Sequence, residues 1–447
     1  MKNIRVQVLL FLFFLPVSAL AQDMAVPAEN LQALVSTAIA NNPELRSSES
    51  RWKMYAAKAR QASYPEDPMF MVKLQNMMAK DPFVFNRDPQ SGIVFGVSQQ
   101  LPLWGKLGLR KEMAKNESES YRWALEERKL ELALMVREAY YKLWAVDKEL
   151  ALVDKSLKIL DNLVTLNGLR SAAGQGSQQN IYKAGLEQSR MLAMQLSLQQ
   201  QRRSIEANIN YLLYRKPATN VGPIGDFTLP QIQVDSEKLL ETALDKRPQL
   251  KSLSSLLQKA QAGRRLAQRE LLPDVSLSAE YMLREPVTSG MVQDPGENMF
   301  SLGLSFNLPL WPGKREAMVA ESVSETMMAQ EELNAIKNSI GLAINQTVLE
   351  YERLRKTVEL YRKGIVPQAE QSVQSAMIGY RAGKSEFSMI LEGTMALFTY
   401  QRELFDAEAD FMMKLARLEA LTGTELLPAR TADVQHLSSG TLAKNPE

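Results

Sequence analysis

Apolar residues alternate with mostly polar ones along two short segments in the second half of the chain, residues 275–283 and 300–308. Apolar side chains occupy every second position there, and serine is the commonest residue between them. A period of two is typical of a β-strand, and about ten residues are enough for a tilted strand to cross a bilayer. Two similar segments lie within residues 69–101, around a loop with two Asp-Pro pairs. The pattern therefore predicts four strands, arranged as two pairs.

The segments that follow each pair of strands carry a heptad pattern instead. From Leu132 to Val164, apolar residues recur at alternating spacings of four and three without a slip. This stripe is the a/d seam of a coiled coil. It predicts one helix over about residues 105–172, which would be about 100 Å long at 1.5 Å per residue. A second seam runs from Ile344 to Ile365. The pattern therefore predicts two very long helices, each folded back on a partner helix.

The two halves of the chain repeat each other. Asn-Pro-Glu-Leu at residues 42–45 returns as Arg-Pro-Gln-Leu at 247–250. Leu-Pro-Leu-Trp-Gly-Lys at 101–106 returns as Leu-Pro-Leu-Trp-Pro-Gly-Lys at 308–314. Each copy runs helix, strand pair, long helix, turn and helix, so the repeating unit is a duplicated domain. We place the first repeat at residues 22–216, a linker at 217–235, the second repeat at 236–422 and a polar tail at 423–447. The strand pairs then occupy about 69–101 and 274–308, and the long helical hairpins about 105–214 and 313–421.

The first 21 residues have the layout of a secretory signal peptide. Lys2 and Arg5 form the basic start, residues 6–17 the apolar core, and Ala19-Leu20-Ala21 a cleavage site. This core is too short for a bilayer span, which needs about 20 apolar residues. No later run is long and apolar enough for a transmembrane helix. We therefore expect an exported protein that is periplasmic, secreted, or held in an outer membrane by strands.

Composition and charge exclude several classes of function. Without the signal peptide, 51 basic residues balance 51 acidic ones, so the charge does not indicate a nucleic-acid partner. The chain has no cysteine, and its single histidine is His436 in the polar tail. His-based catalytic triads and Cys/His metal sites are therefore excluded. The Walker phosphate-binding loop is absent as well. The residues indicate neither an enzyme nor a cofactor.

Four methionines near the first strand pair invite a metal interpretation, because thioethers are ligands for soft metals such as copper. They are Met69, Met71, Met77 and Met78. Methionine is also a common apolar filler of strands and loops. We favour that second interpretation and predict no metal site.

Four strands cannot close a membrane barrel. An open edge would leave unpaired backbone N–H and C=O groups in hydrocarbon, which is costly, so the chain has to associate with copies of itself. Three copies give twelve strands, enough for a water-filled lumen, with twelve long helical columns below them. We therefore expect a mainly α-helical trimer in which a twelve-stranded β-barrel continues into a long, hollow α-helical barrel.

The chain resembles a known family, the TolC-type outer-membrane efflux proteins. The resemblance covers the whole mature chain, and it lies in the order, spacing and duplication of the motifs at residues 42–45, 105–106, 247–250, 313–314 and 379–383. It implies a homotrimer in the outer membrane of a Gram-negative bacterium, surrounded by outer-membrane lipid, with a long α-helical tunnel in the periplasm. It also implies docking to a periplasmic adaptor, or membrane fusion, protein and to an inner-membrane pump.

The expected function is a passive export channel that takes its energy from a partner pump. Residues 99–107 look most like family members that serve heavy-metal or drug exporters of the resistance-nodulation-division (RND) type. One alternative is a duct for type I protein secretion, and another, from a different class, is a periplasmic coiled-coil scaffold with soluble hairpins. Drugs, metal ions and polypeptides all remain open as cargo.

Two turns between long helices are the candidate functional positions. In each turn, glycine ends one helix and serine begins the next, which is the expected capping chemistry. The resemblance implies that these turns form the periplasmic tip, where the tunnel closes and the adaptor docks. The docking candidates are Arg170, Gly174, Gly176, Ser177, Arg381, Gly383 and Ser385.

The resemblance also implies a gate beside the second turn. Tyr380 falls on a gate tyrosine of the family pattern, and Glu392 falls on an acidic ring position. Met389 stands where the pattern has a second acid, so a single ring of Glu392 remains, with Glu386 as the other acid nearby. Three copies of Glu392 around a narrow pore would attract cations. Tyr380 would join neighbouring helices through its hydroxyl while its ring narrows the opening.

Overall fold

The computed structural model describes residues 29–172, 177–287 and 293–426. Its first repeat contains α1 (Leu31–Asn41), α2 (Pro43–Gln61), β1 (Met69–Gln75), β2 (Gly92–Leu101), α3 (Lys106–Ala172) and α4 (Gln178–Leu212). Its second repeat contains α5 (Ser236–Lys246), α6 (Pro248–Arg269), β3 (Val275–Leu283), β4 (Met299–Phe306), α7 (Pro312–Leu360), a π-helical turn (Tyr361–Ile365), α8 (Val366–Arg381) and α9 (Phe387–Thr422). The expected signal peptide and His436 lie outside the described residues.

The four strands form one antiparallel sheet in the order β1-β2-β3-β4. Alternate rows of paired residues face opposite sides, as the period of two requires. An apolar row runs through Phe70, Val97, Ala279 and Leu302. The next row, on the other side, runs through Met71, Gly96, Glu280 and Ser301. Within the described sheet, β1 and β4 each pair on one side only, so a protomer has two open edges.

The helices next to the sheet continue this order. α2 packs against α3, α3 against α6, and α6 against α7. Since α2 leads into β1 and α7 follows β4, the outermost helices of the row stand beside the outermost strands. Each protomer is therefore a slab with one α2–β1 side and one β4–α7 side.

The predicted seam of α3 forms the core of the long helical region. Leu143, Val153 and Leu160 have exposed fractions of 0%. Leu150 is only half-buried, and towards the end of the helix Leu163 is buried in place of Val164. A straight α-helix drifts by about 20° per heptad against a strict repeat of seven, and this drift accounts for the displacement.

The second long helix contains an interruption that the heptad pattern does not predict. The second seam predicts one uninterrupted long helix in the hairpin at about 313–421, and this prediction is wrong at the π-helical turn, where the N–H of Val366 donates to the carbonyl of Tyr361. Pro367 follows directly, lacks an N–H and in an α-helix would clash with the carbonyl four residues earlier. The wider π turn relieves that clash.

Across the described ranges, no helix combines the length and the apolar character that crossing a membrane requires.

Candidate functional site

The turn between α8 and α9 is built on two glycines. Gly383 has φ +73°, a left-handed conformation that a residue with a side chain adopts at a cost. A Cβ atom on Gly379 would lie 2.1 Å from Oγ of Ser385, so a side chain at that position would force Ser385 to shift. The N–H of Lys384 donates to the carbonyl of Gly379 at 2.7 Å and closes the turn. The local sequence therefore holds Tyr380 in a defined place at the end of α8.

Tyr380 joins α8 to α3 inside one protomer. Its side chain is 6% exposed, and its hydroxyl donates to Oδ1 of Asn167 at 2.6 Å. The amide of Asn167 donates in turn to the carbonyl of Leu163 at 2.7 Å, which fixes the orientation of the amide. The buried polar atoms are thus paired, as burial requires. The hydroxyl of Tyr380 therefore links α8 to α3 by a hydrogen bond within one protomer.

Arg170 completes the cluster around this tyrosine. Its guanidinium carbon lies 4.5 Å from the centroid of the Tyr380 ring, and its Nη1 donates to the carbonyl of Tyr380 at 3.0 Å. The ring of Phe387, at the start of α9, lies 6.0 Å away. A stacked cation and a hydrogen bond from one side chain stabilise the end of α8. In the protomer, Arg170 is therefore engaged with the gate candidate, and the ring of Tyr380 is packed between helices.

The acidic candidates lie on the exposed side of α9. Glu386, at the N-cap position, and Glu392 are both exposed. Met389, one turn before Glu392, is 57% exposed. Within the described residues, Glu392 has no ion pair or hydrogen bond to another side chain. Its carboxylate is therefore available to face a pore or solvent.

The two turns differ in their caps. Oγ of Ser177 accepts a hydrogen bond from the N–H of Gln179 at 3.2 Å, so Ser177 caps α4 as expected. The N-cap of α9 is Glu386, without a side-chain cap bond, and the expectation that Ser385 is the cap is wrong. Ser385 packs against Gly379 instead.

The other docking candidates are less informative about function. Arg381 and Gly383 are exposed in the second turn. Gly174 and Gly176 lie outside the described residues. Met69 and Met71 lie on one face of β1, and both are exposed. Whether any of these residues contacts a partner or a metal stays a prediction.

Asn167 is the functional candidate that sequence reasoning missed. It lies seven residues after Leu160, so it occupies a seam position where an apolar residue is expected. A polar residue in a seam needs a partner. That signal was available in the sequence but does not identify the partner, because Tyr380 is 213 residues away in the chain.

Comparison with known proteins agrees with the architecture. The chain matches the outer membrane efflux protein family over residues 34–213 and 239–424. A probable efflux pump outer membrane protein of Pseudomonas putida, TtgC, is 24% identical over 398 residues, covering 85% of this chain and 78% of that protein. The outer membrane protein VceC of Vibrio cholerae has a TM-score of 0.74 at 19% identity, covering 88% of this chain and 96% of VceC. The channel CusC has a TM-score of 0.75 at 14% identity, covering 91% of this chain and 96% of CusC.

A duplicated helix–strand–strand–helix chain with two open edges and two long hairpins is the protomer of a trimeric channel. The chain belongs to the outer membrane efflux protein family. It is an outer-membrane channel with a long periplasmic helical extension, it works with an adaptor and an inner-membrane pump, and it is not an enzyme. The TolC-type resemblance and the fold class are confirmed, and family membership excludes the soluble scaffold.

Proposed function

We propose that this channel is the outer-membrane duct of an RND-type pump that expels small organic molecules. The observation that carries the proposal is that relatives aligned over 85% of the chain are named for antibiotic and toluene efflux. The apolar face of the sheet, which includes Phe70 and Leu302, would then contact outer-membrane lipid. The exposed residues Ser177 and Gly383, each at the end of a helical hairpin, would help to dock the adaptor.

Deletion of the gene tests the cargo. We expect the deletion strain to accumulate a fluorescent drug and to become sensitive to toluene, and the intact gene to reverse both effects. Loss of a secreted polypeptide without drug accumulation would instead support the type I secretion duct.

We further propose that the cluster at the end of α8 keeps the channel closed at rest. Tyr380 would lock α8 to α3, while three Glu392 carboxylates, one from each protomer, would line the narrow end. Burial and hydrogen bonding of Tyr380 support the lock. The carboxylate of Glu392, which is exposed and has no side-chain partner among the described residues, supports the ring.

Removing the tyrosine hydroxyl tests the lock. We expect Tyr380→Phe to raise the resting conductance of single channels in planar bilayers, since the buried Oδ1 of Asn167 loses its donor, at a cost of about 1–3 kcal/mol. Asn167→Leu, which removes the unpaired polar group as well, should give open channels with a smaller loss of stability. Unchanged resting conductance in both variants would restrict Tyr380 to packing.

Removing the charge tests the ring. We expect Glu392→Gln to weaken cation selectivity and block by multivalent cations in the same recordings, because three negative charges leave the pore. Glu321→Gln is the matched control, since this carboxylate is also exposed but lies near the start of α7. Equal selectivity in the two variants would place Glu392 on a solvated surface outside the pore.

A further inference from the structure

The first Leu-Pro-Leu-Trp motif fastens the start of α3 to the corner between α6 and β3. Nε1 of Trp104 donates to the carbonyl of Pro273 at 2.8 Å. The fully buried Nζ of Lys106 lies 2.9 Å from Oδ1 of Asp274 and 3.3 Å from Oε2 of Glu270. Nζ also donates to the carbonyl of Leu272 at 2.8 Å, so two carboxylates and a carbonyl surround the buried ammonium. Here the first repeat contacts the second within one chain.

The second copy of the motif has no such contact. Trp311 is 75% exposed, and Lys314 is exposed at the start of α7. Within the described residues, neither side chain forms a hydrogen bond or an ion pair. Tryptophan is a large apolar side chain with one donor, and in a folded protein it usually finds a surface that satisfies both features. A repeated motif that is satisfied once and exposed once indicates a missing partner.

The complementary corner is exposed on the opposite side of the protomer. It is the segment between α2 and β1, which we call the α2–β1 corner, residues 62–68. Tyr64 is 74% exposed there, and Glu66 and Asp67 are exposed without an ion pair in the described chain. By the duplication, this corner corresponds to the α6–β3 corner, because α2 corresponds to α6 and β1 to β3. It too has two carboxylates beside the start of a strand.

The order of elements places these two surfaces against each other in a closed ring. β4 and α7 form one side of the slab, and α2 and β1 form the other. Closing the trimer therefore brings the start of α7 next to the α2–β1 corner of the following protomer, as the start of α3 lies next to the α6–β3 corner within the chain.

We infer that Trp311 and Lys314 dock on the α2–β1 corner of the neighbouring copy of this chain. The indole N–H of Trp311 donates to a backbone carbonyl of that corner, and the ammonium of Lys314 pairs with Glu66 and Asp67. Pro312 adds one residue between Trp311 and the Gly-Lys pair, so Lys314 lies within the first turn of α7, whereas Lys106 is the first residue of α3. Because Glu66 and Asp67 are adjacent, the ammonium of Lys314 can reach a carboxylate despite this shift of position. The contact rests on the trimeric assembly alone and is independent of cargo and gate.

Photo-crosslinking tests the position of Trp311. Benzoylphenylalanine replaces Trp311 in the full-length protein in membranes, and Trp104 in a matched control. We expect the probe at 311 to give SDS-resistant dimers and trimers whose crosslinked peptide contains residues 62–68, while the probe at 104 crosslinks within one chain to the segment around Pro273. A probe at 311 that crosslinks only within its own chain, to another peptide or only to lipid, with the control at 104 active, overturns the inference.

Charge reversal tests the ion pair. We expect Lys314→Glu to lower the temperature at which the trimer dissociates in SDS gels, and Lys314→Glu combined with Glu66→Lys and Asp67→Lys to restore it. Lys111→Glu, at an exposed position of α3, should leave that temperature unchanged. A Lys314→Glu trimer as stable as the wild type, or a loss that the compensating reversals fail to restore, contradicts the pairing.

Discussion

The two repeats build long helical segments of nearly equal length in different ways. The first repeat runs through α3 for 67 residues without a proline, whereas the second divides the distance among α7, a π turn and α8. Only the second repeat carries the gate candidates Tyr380 and Glu392. The comparison shows that one copy forms a single continuous helix and that the interrupted copy carries Tyr380 and Glu392 near the end of its hairpin.

The largest expected effect concerns the buried seam, which both repeats have. Leu143 and Tyr351 occupy equivalent seam positions and are both buried. We expect Leu143→Asp and Tyr351→Asp each to destabilise the detergent-purified trimer by several kcal/mol, because each places an unpaired charge in the core. Leu150→Asp should cost less, since Leu150 is half-buried. Melting temperatures measured by circular dichroism check this ranking of the three variants. Equal melting temperatures for the Leu143 and Leu150 variants would contradict the observed drift of the seam.

The second-largest expected effect concerns a proline that the long helix of the second repeat contains and α3 lacks. Ile159 lies as far from Lys106 along α3 as Pro367 lies from Lys314, so Ile159→Pro places the helix breaker at the matching distance in the uninterrupted copy. We expect a loss of about 3 kcal/mol or more, because α3 has no π turn to absorb the ring. Pro367→Ala should change the melting temperature little, since the π turn already removes the clash. If the two substitutions had similar effects on melting, the helices would not differ as described.

The third expected effect is a smaller one, a dependence of stability on pH that only the first repeat has at this position. Glu149 of α3 faces α9, and burial, followed by repulsion from Asp406, raises its pKa to about 7, while Arg402 opposes the rise. The counterpart in the second copy is Thr357, which does not titrate. The folded protein keeps the proton of Glu149 at pH values where the unfolded chain has released it. The stability contribution of Glu149 therefore falls as the pH rises from about 4.5 to about 7.

Glu149→Gln should thus raise the melting temperature at pH 8 and leave it almost unchanged at pH 4. Thr357→Val provides a control without pH dependence. Melting curves of the trimer across this range check the prediction, and a stabilisation of equal size at both pH values would show that ionisation of Glu149 plays no part.

The smallest effect concerns the caps of the two turns. We expect Ser177→Ala to cost about 1 kcal/mol, since the N–H of Gln179 loses its acceptor. Ser385→Ala should be nearly neutral, because Ser385 does not cap α9. Proteolysis rates of the turns and melting of the trimer provide the measurement. An equal loss in both variants would restore Ser385 as a cap.

Regular patterns explain what could be predicted from the sequence. The period of two in residues 275–283 and the seam through Leu143 are local and repeated, so the strands and long helices follow from them. The π turn has no such period, and it arises from the steric demand of Pro367. The cap at Glu386 depends on how closely Ser385 approaches Gly379, which only the folded turn determines.

The candidate site was predicted less completely for a related reason. Family resemblance indicated Tyr380, but its partner Asn167 belongs to the other repeat. Contacts between residues far apart in the chain depend on how two hairpins pack, and neither hairpin encodes them alone. The role of Arg170 beside the tyrosine ring is hidden from the sequence in the same way.

The two open edges of the sheet also govern how the protein is made. A newly exported chain presents β1 and β4, with apolar side chains such as Phe70 and Leu302, before any neighbour is available to cover them. Such strands pair readily with the wrong chain. Folding and association must therefore proceed together, and the yield of correct channels depends on the concentration of protomers in the periplasm. Overproduction should favour aggregates over channels, and slow synthesis should favour channels.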